Sequence, residues 1–171
     1  MIIPKYGPIS LGLHFKGLTL VLVAPILILL SIGCSSSSFT LLSGEKKSLS
    51  DYEGSWLVVN YWALWCKPCI KEMPELNQLA IDNGDSIKVL GVSFDPLSEE
   101  KLLNVAKDFD IQYDMALNSP EPQLPFEIPT MLPANYFVEP NGKWHGPVYG
   151  VQSAQSVLGI ISKIEKGEYN D

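Results

Sequence analysis

Apolar residues along the chain fall into short runs separated by turn-forming clusters. Phe39 to Leu42 is a brief apolar stretch that Ser43-Gly44-Glu45-Lys46 turns back, and Ser48 to Gly54 is polar and turn-rich. The run WLVVNYWAL, Trp56 to Leu64, is β-branched and aromatic, and its one polar interior residue is Asn60. Such a run reads as a central strand buried on both faces. Met73, Leu76, Leu79 and Ala80 recur at helical spacing and predict a helix from Lys67 to Ile81, stopped by Asn83-Gly84-Asp85. Ile87 to Phe94 reads as a second buried strand. Ser98 to Phe109 reads as an amphipathic helix with Leu102, Leu103, Val105, Ala106 and Phe109 on its apolar side. Asp114 to Leu117 is a short strand, and Asn118 to Pro133 a proline-studded connector. Ala134 to Glu139, the turn Pro140-Asn141-Gly142 and Lys143 to Tyr149 form a hairpin; Ser153 to Lys166 is a closing helix capped by Ser153. Strands alternating with helices imply parallel pairing and the final hairpin implies antiparallel pairing. The pattern therefore predicts an α/β domain, a central mixed β-sheet flanked by helices on both faces.

Charge separates the N-terminus from the rest. Residues 1–33 hold Lys5 and Lys16 and no acid; the remainder carries 10 lysines against 19 acids, a net of −9, and the chain has no arginine. A body this acidic lacks the clustered cations that neutralise phosphate, which argues against nucleic acid as a partner. Lys5, His14 and Lys16 precede Leu18 to Ile32, a charge-free apolar run of about 15 residues, shorter than the roughly 20 that span a bilayer. A basic start, a short apolar stretch and a small residue before a break describe an export signal over 1–33. LSIGC resembles a lipobox, departing from it at Ser31 where leucine is usual; this resemblance implies lipidation at Cys34, with 34–38 a serine-rich tether and 39–171 the folded domain. The alternative is an uncleaved anchor helix from Leu18 to Cys34. Both readings hold the domain to a membrane on its outer side.

Two of the chain's three cysteines stand in LWCKPCIKEMP, Leu64 to Pro74, between a predicted strand and a predicted helix. That placement puts Cys66 at the first helical turn, where unpaired N–H groups and the helix dipole favour thiolate over thiol. Cys66 is thereby the nucleophile. Cys69 follows one turn later, which brings the two α-carbons to roughly 5–6 Å, within disulfide reach. Lys67 adds a nearby positive charge. Pro68 needs no hydrogen-bond partner in the first turn and stiffens the loop. Cys69, the more enclosed sulfur, resolves the mixed disulfide that Cys66 forms with a substrate. A zinc site wants four ligands, and outside the pair only Cys34 and two histidines remain. Haem attachment needs CxxCH, and Ile70 follows Cys69.

NYWALWCKPC resembles the active-site strand and motif of thioredoxin-fold proteins, and the extension CKPCIKEMP resembles the TlpA/ResA-like branch, membrane-tethered thiol–disulfide oxidoreductases of the bacterial envelope. Asn60, Glu72 and Pro74 match that branch. Glu72 also has its own case: three residues after Cys69 on one helical face, a partly buried carboxylate with a raised pKa would take the Cys69 proton. The competing reading is a solvated surface glutamate. The resemblance further implies a cis-proline facing the dithiol, whose preceding backbone pairs with the substrate chain. LPANYFVEPNG fits the spacing at Pro133, preceded by Leu132; Pro129 in IPT is the alternative. Trp65 would flank the reactive sulfur as docking surface, with core packing the competing view. Trp144 and His145 read as structural or surface residues, and the connector as a rigid surface loop or a wall of the substrate groove.

The resemblance implies dithiol exchange with no cofactor, because the cysteine pair carries the electrons. It implies disulfide-containing envelope proteins as partners, apocytochrome c among them, and a membrane thiol-shuttling reductant, since the periplasm is kept oxidising. The expected direction is reductive, by family analogy. A disulfide oxidase or isomerase and a Sco-like copper-delivery protein are the rivals; the latter group carries CxxxC and a distal histidine, where this chain offers CxxC and His145.

Overall fold

The structure, a computed structural model, describes residues 37–170. The export segment and Cys34 lie outside the described residues. In chain order the elements are β1 (Phe39–Thr40), β2 (Lys46–Lys47), a 3-10 turn (Leu49–Tyr52), β3 (Trp56–Trp62), α1 (Lys67–Asn83), β4 (Ile87–Ser93), α2 (Glu99–Asp108), β5 (Asp114–Ala116), β6 (Ala134–Val138), β7 (Trp144–Tyr149) and α3 (Ala154–Glu165). β1 and β2 form a small antiparallel pair. The main sheet has five strands in the order β5-β4-β3-β6-β7. β3, β4 and β5 run parallel, and β6 and β7 join antiparallel. This is the thioredoxin-like arrangement that the sequence pattern and the resemblance imply.

The α-helices, however, lie on one face of the sheet rather than two. Leu76 and Leu79 of α1 and Val157, Ile161 and Ile164 of α3 pack on Trp56, Val58, Val89 and Phe137. Leu102 and Val105 of α2 join Met73 of α1 around Trp62 and Met115. The reason is topological. The crossovers β3-α1-β4 and β4-α2-β5 step in the same direction along the sheet, and right-handed crossovers in one direction put both helices on one side. The opposite face, with Leu57, Val59, Tyr61, Leu90, Val92 and Tyr136, is covered by the N-terminal hairpin, the 3-10 turn and the connector through Phe39, Leu41, Tyr52 and Phe126.

Local signals set the boundaries. Ser98 and Ser153 accept from Lys101 N and Ser156 N as N-caps of α2 and α3. The β6–β7 turn closes with Gly142 N donating to Glu139 O at 2.8 Å, and Gly142 takes φ +87°, which a side chain would resist. α1 runs two residues past the expected Ile81, to Asn83. The polar stretch 48–54 holds the 3-10 turn, whose Tyr52 is buried and donates its hydroxyl to Asp114 at 2.7 Å. Ser37 and Ser38, which the sequence assigns to the tether, are engaged with the domain: Ser37 Oγ accepts from Leu49 N, and Ser38 pairs with Gln123.

Candidate active site

β3 ends at Trp62, and a few residues later the chain turns into α1. Cys66 is the N-cap of that helix, with Pro68 in its first turn. Cys66 and Cys69 are joined in a disulfide with α-carbons 5.3 Å apart. The Cys69 backbone N–H points at Cys66 Sγ at 3.2 Å. In the reduced state the same N–H would donate to a thiolate, which is how a helix start lowers a cysteine pKa. Cys66 is 4% exposed and Cys69 1%, so the order of burial follows expectation but the Cys66 sulfur is far less open than a surface nucleophile. Lys67 and Pro68 lie exposed beside the pair. Pro74 stands inside α1 and withholds the N–H that Ile70 O would otherwise receive.

Trp65 is 63% exposed and stands edge-on to the half-exposed Phe94, ring centroids 6.4 Å apart. Trp65 is therefore not a core residue. Phe94, which the sequence pattern puts at the end of a buried strand, lies one residue past β4 and joins this apolar rim; a strand-end aromatic gives no local sign of facing outward. Leu132 packs against the cluster that contains Cys66, Cys69 and Trp62. The Leu132–Pro133 bond is cis, as are Ser119–Pro120 and Gly146–Pro147, whereas the bond before Pro129 is not. Pro133 O accepts from Gly150 N at 2.9 Å, which ties the start of β6 to the end of β7.

Glu72 is fully buried, not a solvated surface residue. Its Oε2 accepts from Asn60 Nδ2 at 2.9 Å; its Oε1 accepts from Asn135 Nδ2 at 2.9 Å and from Gln152 N at 2.8 Å. Asn60 Nδ2 also donates to Asn135 Oδ1 at 2.9 Å. Burial raises the Glu72 pKa above the usual carboxylate value, and the three N–H donors pull it back only in part. Asn135 and Gln152 escaped the sequence reading. Asn135 does carry a signal, an amide inside the apolar strand ANYFV, but only the strand register shows that it faces Asn60. Glu75 accepts from Ala154 N at 3.0 Å and so adds a cap at the start of α3. His145 is buried and pairs with Glu139 at 2.8 Å. Among the described residues no group of three or more His, Cys, Asp or Glu is placed to hold a metal ion.

A disulfide at the N-terminus of the helix that follows the central strand, on a sheet of this topology, defines a thioredoxin-fold thiol–disulfide oxidoreductase. Residues 32–144 match the model of the AhpC/TSA family, and the chain belongs to that family, in its ResA-like group. It is 27% identical over 138 residues to a thiol-disulfide oxidoreductase ResA of Bacillus cereus, covering 79% of each chain. It is 31% identical over 107 residues to the thioredoxin-like protein YneN of Bacillus subtilis, covering 61% of this chain and 62% of that one. Among solved structures, the DsbF homologue of Corynebacterium diphtheriae shares the fold with a TM-score of 0.64 at 22% identity, over 75% of this chain and 84% of that one.

Proposed function

We propose that this protein is a tethered reductant of protein disulfides on the outer side of a bacterial membrane, with Cys66 attacking and Cys69 resolving. The reaction balances as two exchanges. The Cys66 thiolate attacks a substrate disulfide, forms a Cys66–substrate S–S bond and expels one substrate thiolate. Cys69 gives its proton to the Glu72 carboxylate; the Cys69 thiolate then attacks Cys66 Sγ, expels the second substrate thiolate and leaves the Cys66–Cys69 disulfide. Two electrons pass to the substrate, whose thiolates take up protons, and a membrane thiol-shuttling partner reduces the pair again. The observation that carries this reading is the disulfide at the N-cap of α1, with a backbone N–H aimed at Cys66 Sγ.

The other roles rest on position. Trp65, Lys67 and Pro68 border the dithiol and would meet the incoming chain. Pro133, with Leu132 packed beside the cysteines, would align the substrate backbone. Cys34 would carry the lipid, with the apolar run before it as anchor in the other reading. Clients are oxidised envelope proteins, apocytochrome c among them, whose CxxCH must be reduced before haem is attached. Trapping tests this: full-length Cys69→Ala, expressed with its export segment, accumulates mixed disulfides through Cys66, and a Cys66→Ser, Cys69→Ala double variant accumulates none. Equal trapping by the double variant would overturn the assignment of the nucleophile.

A further inference from the structure

A groove runs along the β6–β7 edge of the sheet, on the face that the connector covers. Strand alternation places its aromatic lining. Tyr136 of β6 and Trp144 and Tyr149 of β7 line it, whereas Phe137 and Val148 pack on the helix side. The β6–β7 register shifts between Asn135 and Phe137, so β7 bulges opposite Tyr136. The connector supplies the other wall through Phe126, Glu127 and Ile128. The groove holds about 460 Å³, within the range of ligand pockets.

Its walls are fixed by contacts among themselves. Phe126 stacks on Tyr136, and Trp144 stands edge-on to both, with centroids 5.6 Å and 6.1 Å away. The Tyr136 hydroxyl donates to the Glu127 carbonyl at 2.8 Å, and Thr130 Oγ1 and Tyr149 Oη lie 3.4 Å apart. Trp144, Tyr149, Glu127 and Ile128 are nonetheless exposed. Glu127 is the one charged residue in the lining. Aromatic faces are negative and attract a cation within about 6 Å of the ring centre. Among the described residues the lysine set over a ring is Lys47, on Tyr52, so no lysine of the domain serves this groove. The chain beyond residue 33 carries a net charge of −9, which draws positive partners.

The groove also adjoins the point where the proposed function holds the substrate chain. Tyr149 stands opposite Ala134, next to Pro133, and Trp144 stands opposite Val138. Along the strand these two ends are about 13 Å apart, or about four residues of extended chain. We propose that the groove binds an arginine or lysine side chain of the client polypeptide, about four residues along from the one aligned at Pro133. The cation lies against Trp144 and Tyr149, with the Glu127 carboxylate as its counter-charge. The protein is thereby selective for disulfides in basic segments. This selectivity deepens the proposed reduction of protein disulfides and rests on that reading; the binding of a cationic side chain does not.

The test of binding uses the full-length oxidised protein and cysteine-free peptides that differ in one residue, arginine or its uncharged isostere citrulline. The indole N–H resonance of Trp144, identified by its loss in Trp144→Phe, should shift saturably with the arginine peptide. The citrulline peptide should bind roughly threefold to thirtyfold more weakly, the range for a cation on an aromatic face. Glu127→Gln, a change on an exposed side chain, should weaken the arginine peptide roughly twofold to fivefold and leave the citrulline peptide unchanged. No saturable shift would overturn the proposal. So would equal affinity for the two peptides, which marks an apolar groove, or a Trp144 shift that follows protein concentration alone, which marks a second copy seated there. Selectivity is read with reduced protein and disulfide peptides carrying arginine or citrulline four residues to either side of a cysteine. The arginine form should show the higher kcat/KM by a similar factor, and Glu127→Gln should narrow the difference. Binding without a difference in kcat/KM would overturn the selectivity while the groove stands. No turnover of either peptide, with binding intact, would overturn the reductase reading and the selectivity with it.

Discussion

Asn60 and Asn135 face each other across the antiparallel β3–β6 pair, joined by a 2.9 Å bond from Asn60 Nδ2 to Asn135 Oδ1, and each sends an amide N–H to a different oxygen of Glu72. Two strands distant in sequence thus hold one carboxylate a single helical turn from Cys69. The arrangement fixes the acid against rotation and so places a titratable group inside the core.

Asn135→Leu removes one donor to Glu72 and the acceptor for Asn60. It should lower the unfolding free energy in urea by about 1–3 kcal/mol, the range for a buried polar group left unsatisfied. It should also move the Glu72 titration to higher pH, because a partner of the anion is lost. A variant as stable as wild type with an unmoved titration would mean that the network is not anchored through Asn135.

Glu72 makes stability fall with rising pH over one window. Its folded pKa is raised above the ordinary carboxylate value, chiefly by burial. Below the unfolded value the group is protonated in both states and costs nothing. As pH climbs from there through the folded value, the native state holds a proton that the unfolded state has released, and stability declines. Subtracting the urea-unfolding profile of Glu72→Gln from that of the wild type isolates this slope, which should be negative across the window and flat above it.

Trp65 serves the surface, not the core. Trp65→Ala should shift unfolding free energy by less than about 0.5 kcal/mol, as exposed substitutions do. It should nonetheless reduce kcat/KM for a protein disulfide roughly tenfold, the loss expected when an exposed aromatic anchor of a docking surface is truncated. A small dithiol-accepting reagent, which needs no docking surface, should react at the wild-type rate.

The connector is pinned by Phe126, which is buried and stacks on Tyr136 with centroids 4.1 Å apart and an interplanar angle of 13°. Phe126→Ala should cost about 3–5 kcal/mol in chemical denaturation, as for other buried aromatic truncations. A cost near zero would mean that the connector is a detached surface loop.

Much of this was legible in the sequence because its signals are local. The run Trp56 to Leu64, the CxxC after it and the Pro140-Asn141-Gly142 turn each declare strand, helix start and hairpin within a few residues, and β3, α1, β6 and β7 lie there. Leu102 and Val105 give α2 its apolar side, but which face of the sheet receives them depends on crossover direction, and the three helices share a face for that reason. Glu72 could be singled out from its spacing to Cys69. Asn135 and Gln152 could not, because each meets the site only through strand register or loop return from up to 80 residues away along the chain. The buried aromatic covering formed by Tyr52 and Phe126 was hidden in stretches whose polar residues and prolines read as turns.

The central claim is that Cys66 and Cys69 form a reversible, reducing dithiol couple. Redox titration of the full-length protein against defined thiol–disulfide buffers, read by alkylation and mass spectrometry, measures it directly. The account predicts one two-electron transition confined to Cys66 and Cys69, with a midpoint nearer the roughly −270 mV of thioredoxin than the roughly −120 mV of a strong disulfide oxidant. A pair that shows no reversible transition, or one whose midpoint lies at the oxidising end, would contradict it.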